Sequence, residues 1–210
     1  MSEIDVETAH TAATWDERYA GSAAIWSGKV NLRLAEQVEH LTPGHALDIG
    51  CGEGGDAFWL AEHGWTVLAV DVSTVAVQRA ASHAPADVRE RITWQQADIL
   101  SWQPPAAAFD LVSMQYLHLP LAKFVTVAQR LTSAVRPGGS LLVVNHDLQD
   151  HAGVRSHHPV ELFMTLEQIV GALDASAWRV ETQESLAREA TMPDGTQAVI
   201  HDAIVRAVRR

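Results

Sequence analysis

The pattern of apolar and polar positions alternates between two kinds of segment along most of the chain. Short, largely apolar runs are typical of strands buried in a sheet, and the segments between them repeat apolar residues every three or four positions, as helices packed on a sheet do. The expected strands lie at 45–49, 65–71, 91–95, 109–114, 140–144, 178–183 and 198–208. The expected helices lie at 12–19, 31–41, 54–62, 73–82, 119–135 and 165–173.

This alternation predicts an α/β fold, namely a Rossmann-like, doubly wound, mostly parallel seven-stranded sheet with an antiparallel last strand. The last two strands are joined only by residues 187–197, with a turn at Pro193-Asp194-Gly195, so they should pair antiparallel and form one antiparallel edge. The segment Arg136-Pro137-Gly138-Gly139 is expected to be a turn, because it cannot continue the helix that precedes it.

Length and composition bound the domain organisation. A chain of 210 residues fits one α/β domain, and a hydrophobic content of 47% supplies enough apolar surface for a sizeable core. We expect a disordered N-terminus at 1–10 and a single domain at 11–210, whose first two helices occupy 11–41.

Charge and cysteine content exclude several classes of function. The formal net charge of -11, from 26 acidic and 15 basic residues, disfavours nucleic acid as a partner, because the chain would repel phosphate backbones. The single cysteine excludes an internal disulfide and a cysteine-rich metal site. The first 14 residues are polar and acidic, and the sequence holds no run of about 18 apolar residues, so no membrane segment is expected. These features indicate a cytoplasmic protein.

Ligands of open α/β sheets bind beyond the carboxyl ends of the strands, so the residues that follow each strand are candidates for a site. The first strand runs into residues 48–55, DIGCGEGG, whose glycines let the backbone turn tightly and approach a ligand. The second ends in Asp71, at the spacing from which a carboxylate reaches ribose hydroxyls. The third is followed by Asp98 and Ile99, where the carboxylate can accept from an adenine amino group and the backbone N–H of Ile99 can donate to a ring nitrogen. Val72 and Ile99 offer apolar faces to the base.

These segments resemble the successive motifs of class I S-adenosylmethionine-dependent methyltransferases, and the resemblance spans about residues 31–208. The segments that carry it are 46–54 (ALDIGCGEG), 70–73 (VDVS), 97–99 (ADI) and 136–139 (RPGG). Residues 15–19 (WDERY) and 26–28 (WSG) are similar to the N-terminal segments of small bacterial methyltransferases of the tellurite-resistance and thiopurine type.

The resemblance implies S-adenosylmethionine as the cofactor, S-adenosylhomocysteine as its product, and methyl transfer to a small-molecule substrate by in-line displacement. It also implies that residues 11–41 form a helical lid in which Tyr19 and Trp26 contact the cofactor, although core packing explains both side chains as well. Gln115, after the fourth strand, should face the cofactor. The candidate cofactor-binding residues are Tyr19, Trp26, Asp48, Gly50, Cys51, Gly52, Gly54, Asp71, Val72, Asp98, Ile99 and Gln115.

Three alternatives stay open. Gly50, Gly52 and Gly55 also satisfy the dinucleotide fingerprint of an NAD-binding oxidoreductase, but Asp48 can meet the ammonium of a methionine moiety and would repel a pyrophosphate. A protein that binds S-adenosylmethionine without turnover is the second alternative, since no indispensable catalytic residue is predicted. A nucleic-acid methyltransferase is the third, but it would need a Pro-Pro-aromatic turn where residues 113–116 read SMQY.

The remaining candidates concern the methyl acceptor. His118 is a candidate substrate-facing base, and the acceptor pocket is expected between the N-terminal segment and the 145–164 region. Cys51 is expected to pack within the turn rather than act as a nucleophile. No metal site is expected, because His146, Asp147 and the histidines at 151, 157 and 158 are irregularly spaced. The motifs specify neither the acceptor nor the oligomeric state.

Overall fold

A computed structural model of the chain describes residues 10–153, 159–192 and 195–210. The strands are β1 His45–Ile49, β2 Thr66–Asp71, β3 Ile92–Gln96, β4 Phe109–Gln115, β5 Val135–His146, β6 Trp178–Thr191 and β7 Gln197–Arg209. The α-helices are α1 Ala12–Ala20, α2 Leu32–Val38, α3 Gly55–Glu62, α4 Thr74–His83, α5 Leu121–Ala134 and α6 Leu166–Gly171, with 3-10 turns at Arg89–Arg91, Leu148–Ala152 and Val160–Leu162. The predicted disordered N-terminus falls, up to residue 9, outside the described residues.

The strands form one seven-stranded sheet in the order β3-β2-β1-β4-β5-β7-β6. The pairings among β1 to β5 are parallel, whereas β7 runs antiparallel to both β5 and β6. The predicted fold is therefore confirmed, including the antiparallel last strand. That strand lies one place in from the edge, because β6 pairs on its outer side. The chain order reverses between β1 and β4, which is where a doubly wound sheet opens its ligand crevice.

The two last strands are longer than the sequence predicts. The stretch 187–197, expected as a connection, continues both strands as a hairpin that pairs Ala187 with His201 and Thr191 with Gln197. In β6 the side chains are largely exposed, so polar residues occupy positions that an interior strand would fill with apolar ones. Of the predicted turn at 193–195, Gly195 has a φ of +85°, and residues 193 and 194 lie outside the described part of the chain.

The prediction of a turn at 136–139 needs correction, because these residues belong to β5. Helix α5 ends at Ala134, one residue before the predicted end, because Val135 already pairs with Phe109; the next regular pair is Leu111 with Ser140. Residues 136–139 thus form a bulge at the start of β5. Gly138 supplies a φ of +80° in that bulge, a conformation that glycine adopts without steric cost.

Apolar side chains form a core on each face of the sheet. Leu47 and Ile49 of β1 belong to the cluster that α5 and α6 cover, whereas Ala46 belongs to the cluster that α2 and α3 cover. The central strands are thus buried on both faces, which leaves their carboxyl ends as the open edge where a ligand can bind.

Among the described residues, no helix is both long enough and apolar enough to cross a bilayer.

Candidate functional site

The glycine-rich segment after β1 forms a tight turn that requires its glycines. Gly50, Gly52 and Gly54 have φ values of +72°, +52° and +89°, in the left-handed region that glycine adopts most easily. The backbone N–H groups of Gly50 and Cys51 both donate to the carbonyl of Val70, at 2.8 and 3.1 Å, which fixes the turn against β2. A Cβ at Gly54 would lie 2.7 Å from the Trp94 ring, so this position has no room for a side chain.

Asp71, at the end of β2, is bound to that turn. One carboxylate oxygen accepts from the Gly52 N–H at 2.9 Å, and the other accepts from the Ser73 N–H at 2.9 Å. Burial raises the pKa of Asp71, and these N–H donors oppose the shift. The predicted residues Gly52 and Asp71 are therefore neighbours in the fold.

Asp48 is almost completely buried, with a relative exposure of 1%. It lies on β1 directly opposite Ser113 of β4. Its Oδ2 atom has no hydrogen-bond partner within the described part of the chain. Burial, followed by the negative charges of Asp56 and Asp71, raises the pKa of Asp48 well above the ordinary 3.8. The side chain is thus a buried acid that forms no ion pair with any of the described residues.

Gln115 repeats this arrangement at the end of β4. Its amide nitrogen donates to the Ser113 hydroxyl at 2.9 Å, which orients the amide and turns its oxygen away. That oxygen, Oε1, is buried and has no donor among the residues described. The neighbouring strands β1 and β4 therefore carry two buried oxygen atoms, one of Asp48 and one of Gln115, that accept no hydrogen bond from the described residues.

Asp56 and Cys51 complete the buried surroundings of the turn. Asp56 accepts from the backbone and the side-chain amide of Asn31, both at 2.7 Å, which ties α3 to the residue before α2. Burial raises the pKa of Cys51, and the charge of Asp48 adds to the shift. The thiol thus stays protonated within the core cluster, as the packing role predicted for it requires.

The predicted aromatic pair lies over the turn. The Trp26 indole N–H donates to the Tyr19 hydroxyl at 2.9 Å, and a Cβ added at Gly52 would lie 3.0 Å from that hydroxyl and 3.1 Å from the indole nitrogen. Tyr19 is buried and Trp26 is 48% exposed. The N-terminal segment thus covers the glycine turn, and Trp26 lies at its outer surface.

Three polar residues that sequence reasoning did not identify hold this cover in place. Glu53 accepts from the backbone N–H groups of residues 25 and 26, at 3.0 and 2.8 Å, and pairs with Arg79 at 2.6 Å. Arg79 also donates to the carbonyls of Tyr19 and Ser22, at 2.8 and 2.9 Å. Asp16 of α1 accepts from the Ser73 hydroxyl at 2.6 Å. Glu53 lies within the glycine motif and Asp16 within the segment 15–19, whereas no motif marked Arg79.

The predicted adenine-binding residues lie at the ends of β2 and β3. Asp98 is half-buried, and one of its oxygens accepts from the Leu100 N–H at 2.8 Å, which closes its own turn. Val72 is also half-buried, and its carbonyl accepts from the Gln96 side chain at 3.0 Å. The Ile99 side chain packs into the core, which leaves its backbone N–H as the group for the predicted role.

His118 lies beyond β4 in a group of rings. Its ring stacks on His146 with centroids 4.8 Å apart, and the Phe163 ring lies 6.3 Å away. A Cβ added at Gly50 would lie 3.8 Å from the side chain of Leu117, the residue before His118, so this loop borders the glycine turn. Within the described ranges, no group of three or more histidine, cysteine, aspartate or glutamate side chains could hold a metal ion. Residues 157 and 158, two of the histidines considered for a metal, lie outside those ranges.

Comparisons with known sequences find methyltransferases. Residues 46–139 match a family described as a methyltransferase domain. Probable thiol methyltransferase 2 of Arabidopsis thaliana is 27% identical over 150 residues, which cover 69% of this chain and 66% of the relative. A 2-heptyl-1-hydroxyquinolin-4(1H)-one methyltransferase of Mycobacteroides abscessus is 30% identical over 118 residues, covering 55% and 51%. These alignments span about half to two thirds of the relatives' own length.

Solved structures share the fold over almost the whole chain. A methyltransferase from Anabaena variabilis described as SAM-dependent has a TM-score of 0.70 at 17% identity and covers 95% of both chains. A structure from work on the conversion of a disulfide bond into a thioacetal group in echinomycin biosynthesis has a TM-score of 0.72 at 22% identity, with 94% and 92% covered. The structure of a [4+2]-cyclase has a TM-score of 0.67 at 17% identity, with 97% and 94% covered.

Proposed function

We propose that this chain, whose residues 46–139 match a methyltransferase domain as its motifs predicted, is a class I S-adenosylmethionine-dependent methyltransferase and transfers the methyl group of that cofactor to a small molecule. The methyl group of a sulfonium is already activated for in-line displacement. The protein then has to bind the donor, align an acceptor atom with the methyl carbon and exclude water.

The observation that carries this proposal is a pair of buried oxygens, Asp48 Oδ2 and Gln115 Oε1, to which none of the described residues donates a hydrogen bond. A buried acceptor without a donor costs free energy, and a ligand ammonium can supply both atoms with N–H groups. S-Adenosylmethionine carries such an ammonium and a sulfonium, so its charge suits a turn surrounded by the carboxyl groups of Asp48, Asp56 and Asp71. The pyrophosphate of NAD would bring negative charge to the same carboxyl groups, which disfavours the oxidoreductase alternative.

The residues that would hold the rest of the cofactor follow from their place in the fold. Asp71 already accepts two backbone N–H bonds, and a carboxylate has capacity for further donors such as ribose hydroxyls. We assign the adenine to Val72, Asp98 and the Ile99 backbone, and the covering role to Tyr19 and Trp26. The glycine positions 50, 52 and 54 and Cys51 contribute backbone rather than side chains.

We further propose that the acceptor is a small molecule with a thiol or an acidic hydroxyl group. The curated relatives named for thiols and for a hydroxyquinolone support this class. A thiol needs little base catalysis because its thiolate is accessible near neutral pH. A phenol-type acceptor would profit from His118 as the group that takes its proton. The ring group around His118 and Phe163 supports a pocket for a flat acceptor.

Two measurements test the proposal. Calorimetry should show that S-adenosylhomocysteine binds and that NADH does not. Incubation with methyl-labelled S-adenosylmethionine and a panel of thiols and hydroxyaromatics should then release S-adenosylhomocysteine. Binding without turnover on any acceptor would favour the non-catalytic alternative. Binding of NADH in place of S-adenosylhomocysteine would overturn the assignment.

A further inference from the structure

The turn that follows β4 is strained at Tyr116. This residue has a φ of +52°, in the left-handed region that bulky side chains seldom adopt. It stands between Gln115, whose buried oxygen has no donor in the described part of the structure, and Leu117, which lies beside Gly50 of the glycine turn. His118 follows Leu117 and stacks on His146. Strain in a backbone persists only where surrounding contacts hold it, and such sites cluster where a ligand must be met by fixed groups.

Two hydrogen bonds hold this conformation. The Tyr116 N–H donates to the Val144 carbonyl at 2.7 Å, and the Tyr116 hydroxyl donates to Asp202 Oδ1 at 3.0 Å. The ring also lies against His146, with centroids 4.7 Å apart. The hydroxyl bond spans 86 positions of the chain, so it fixes the turn to β7 rather than to its own neighbours.

Asp202 is itself immobilised from two further elements. It is fully buried, and its Oδ2 accepts from the Arg33 Nε of α2 at 3.1 Å and from the Arg188 Nε of β6 at 2.8 Å. Arg33 continues to the carbonyl of Ala187 at 2.9 Å. Two guanidinium groups therefore donate to one carboxylate, and Asp202 is a fixed, charged acceptor for the Tyr116 hydroxyl.

Chemistry at the Tyr116 hydroxyl itself does not fit this setting. Burial, and then the charge of Asp202, raises the pKa of Tyr116 above its ordinary 10.0. The phenol stays protonated and its proton is used in the bond to Asp202. Tyr116 can therefore act only through the residues that it positions.

We propose that Tyr116 is a positioning residue, whose bond to Asp202 holds the strained turn that sets Gln115 and His118 at the ligand crevice. The inference rests on the proposed function, because it assumes that S-adenosylmethionine binds at Gln115. It adds a role that the cofactor motifs do not contain. It also gives a reason for a fully buried carboxylate with two arginine partners far from the glycine turn in sequence.

The test compares substitutions at this position by calorimetry with S-adenosylhomocysteine and by steady-state turnover. Tyr116→Phe removes only the hydroxyl and should weaken binding about ten-fold, the loss expected for one hydrogen bond to a charged group. Tyr116→Asn removes the phenol as well, but asparagine adopts a positive φ more readily, so it should bind better than Tyr116→Leu by about five-fold. The matched control is Thr182→Val, which removes a hydroxyl hydrogen bond from Thr182 of β6 to Gln37 of α2. This variant should bind as the wild type does.

A merely structural role would lower the melting temperature of Tyr116→Phe and leave its affinity and turnover at 25 °C unchanged, and that result would overturn the proposal. If Tyr116→Phe does not fold, the comparison of the Asn and Leu variants decides, and equal or tighter binding by the Leu variant counts against it. Failure of the wild type to bind S-adenosylhomocysteine would refute the proposed function and this inference with it. Wild-type binding with an unaffected Phe variant would refute the inference alone.

Discussion

Glu53 accepts a hydrogen bond at 2.8 Å from the backbone N–H of Trp26, 27 positions earlier in the chain. This bond fastens the N-terminal segment to the glycine turn, and the ion pair of Glu53 with Arg79 reinforces it. The lid inferred from the resemblance thus divides into two parts. Residues 12–30 are held by these polar contacts together with the buried Tyr19 ring, whereas α2 is anchored in the core through Leu34 and Val38.

Arg79→Met is expected to loosen the cover without disturbing the sheet. The variant loses the pair with Glu53 and two bonds to backbone carbonyls of the N-terminal segment. S-Adenosylhomocysteine should dissociate about ten-fold faster in stopped-flow measurements, because closure over the ligand is less favourable. Arg136→Met, which removes an ion pair with Asp110 at the opposite edge of the sheet, should leave the dissociation rate unchanged. Equal rates in all three proteins would argue against a covering role.

Asp48→Asn should stabilise the free protein at neutral pH and weaken ligand binding. Because burial raises the pKa of Asp48, the folded chain holds its proton where the unfolded chain has lost it. The stabilisation that this group contributes is complete below pH 3.8, its ordinary pKa, and is lost as the pH rises through the raised pKa. Urea denaturation from pH 4 to 8 should show a steeper decline in the wild type than in the variant. Parallel curves would contradict this account of Asp48.

Ligand binding should release protons for the same reason. An ammonium beside Asp48 favours the ionised carboxylate and lowers its pKa, so the bound protein holds fewer protons than the free one. The affinity for S-adenosylhomocysteine should therefore rise with pH. Titrations in two buffers of different ionisation enthalpy should give different observed heats in the wild type and a smaller difference in Asp48→Asn. A buffer-independent heat in the wild type would speak against an ammonium at this carboxyl group.

Gly54→Ala separates crowding from backbone strain. Gly54 and Gly195 have similar φ values of +89° and +85°, but a Cβ at Gly54 meets the rings of Trp94 and Phe58 within 3 Å, and one at Gly195 meets none of the described residues within 4 Å. We expect Gly195→Ala to cost about 1 kcal/mol and Gly54→Ala about 3 kcal/mol in the free energy of unfolding. Only the latter should reduce ligand affinity. Similar costs at both positions would show that the glycine turn has room to adjust.

The sequence predicted the parallel half of the sheet because its strands are buried on both faces and read as apolar runs. It underestimated β6, because an exposed strand at the sheet edge carries charged residues such as Arg188. The glycine turn and Asp71 could be placed from local spacing alone. Asp202 and its partner Arg33 could not, since ion pairs between residues 169 positions apart leave no local pattern.

The buried carboxyl group of Asp48 is expected to bind the ammonium of the cofactor. The direct measurement is a double-mutant cycle by calorimetry, with S-adenosylhomocysteine and its analogue without the amino group, against the wild type and Asp48→Asn. Loss of the amino group should weaken binding to the wild type by about 30-fold, as expected for a charge-assisted pair, and to the variant by about three-fold or less. Equal losses in both proteins would contradict the claim.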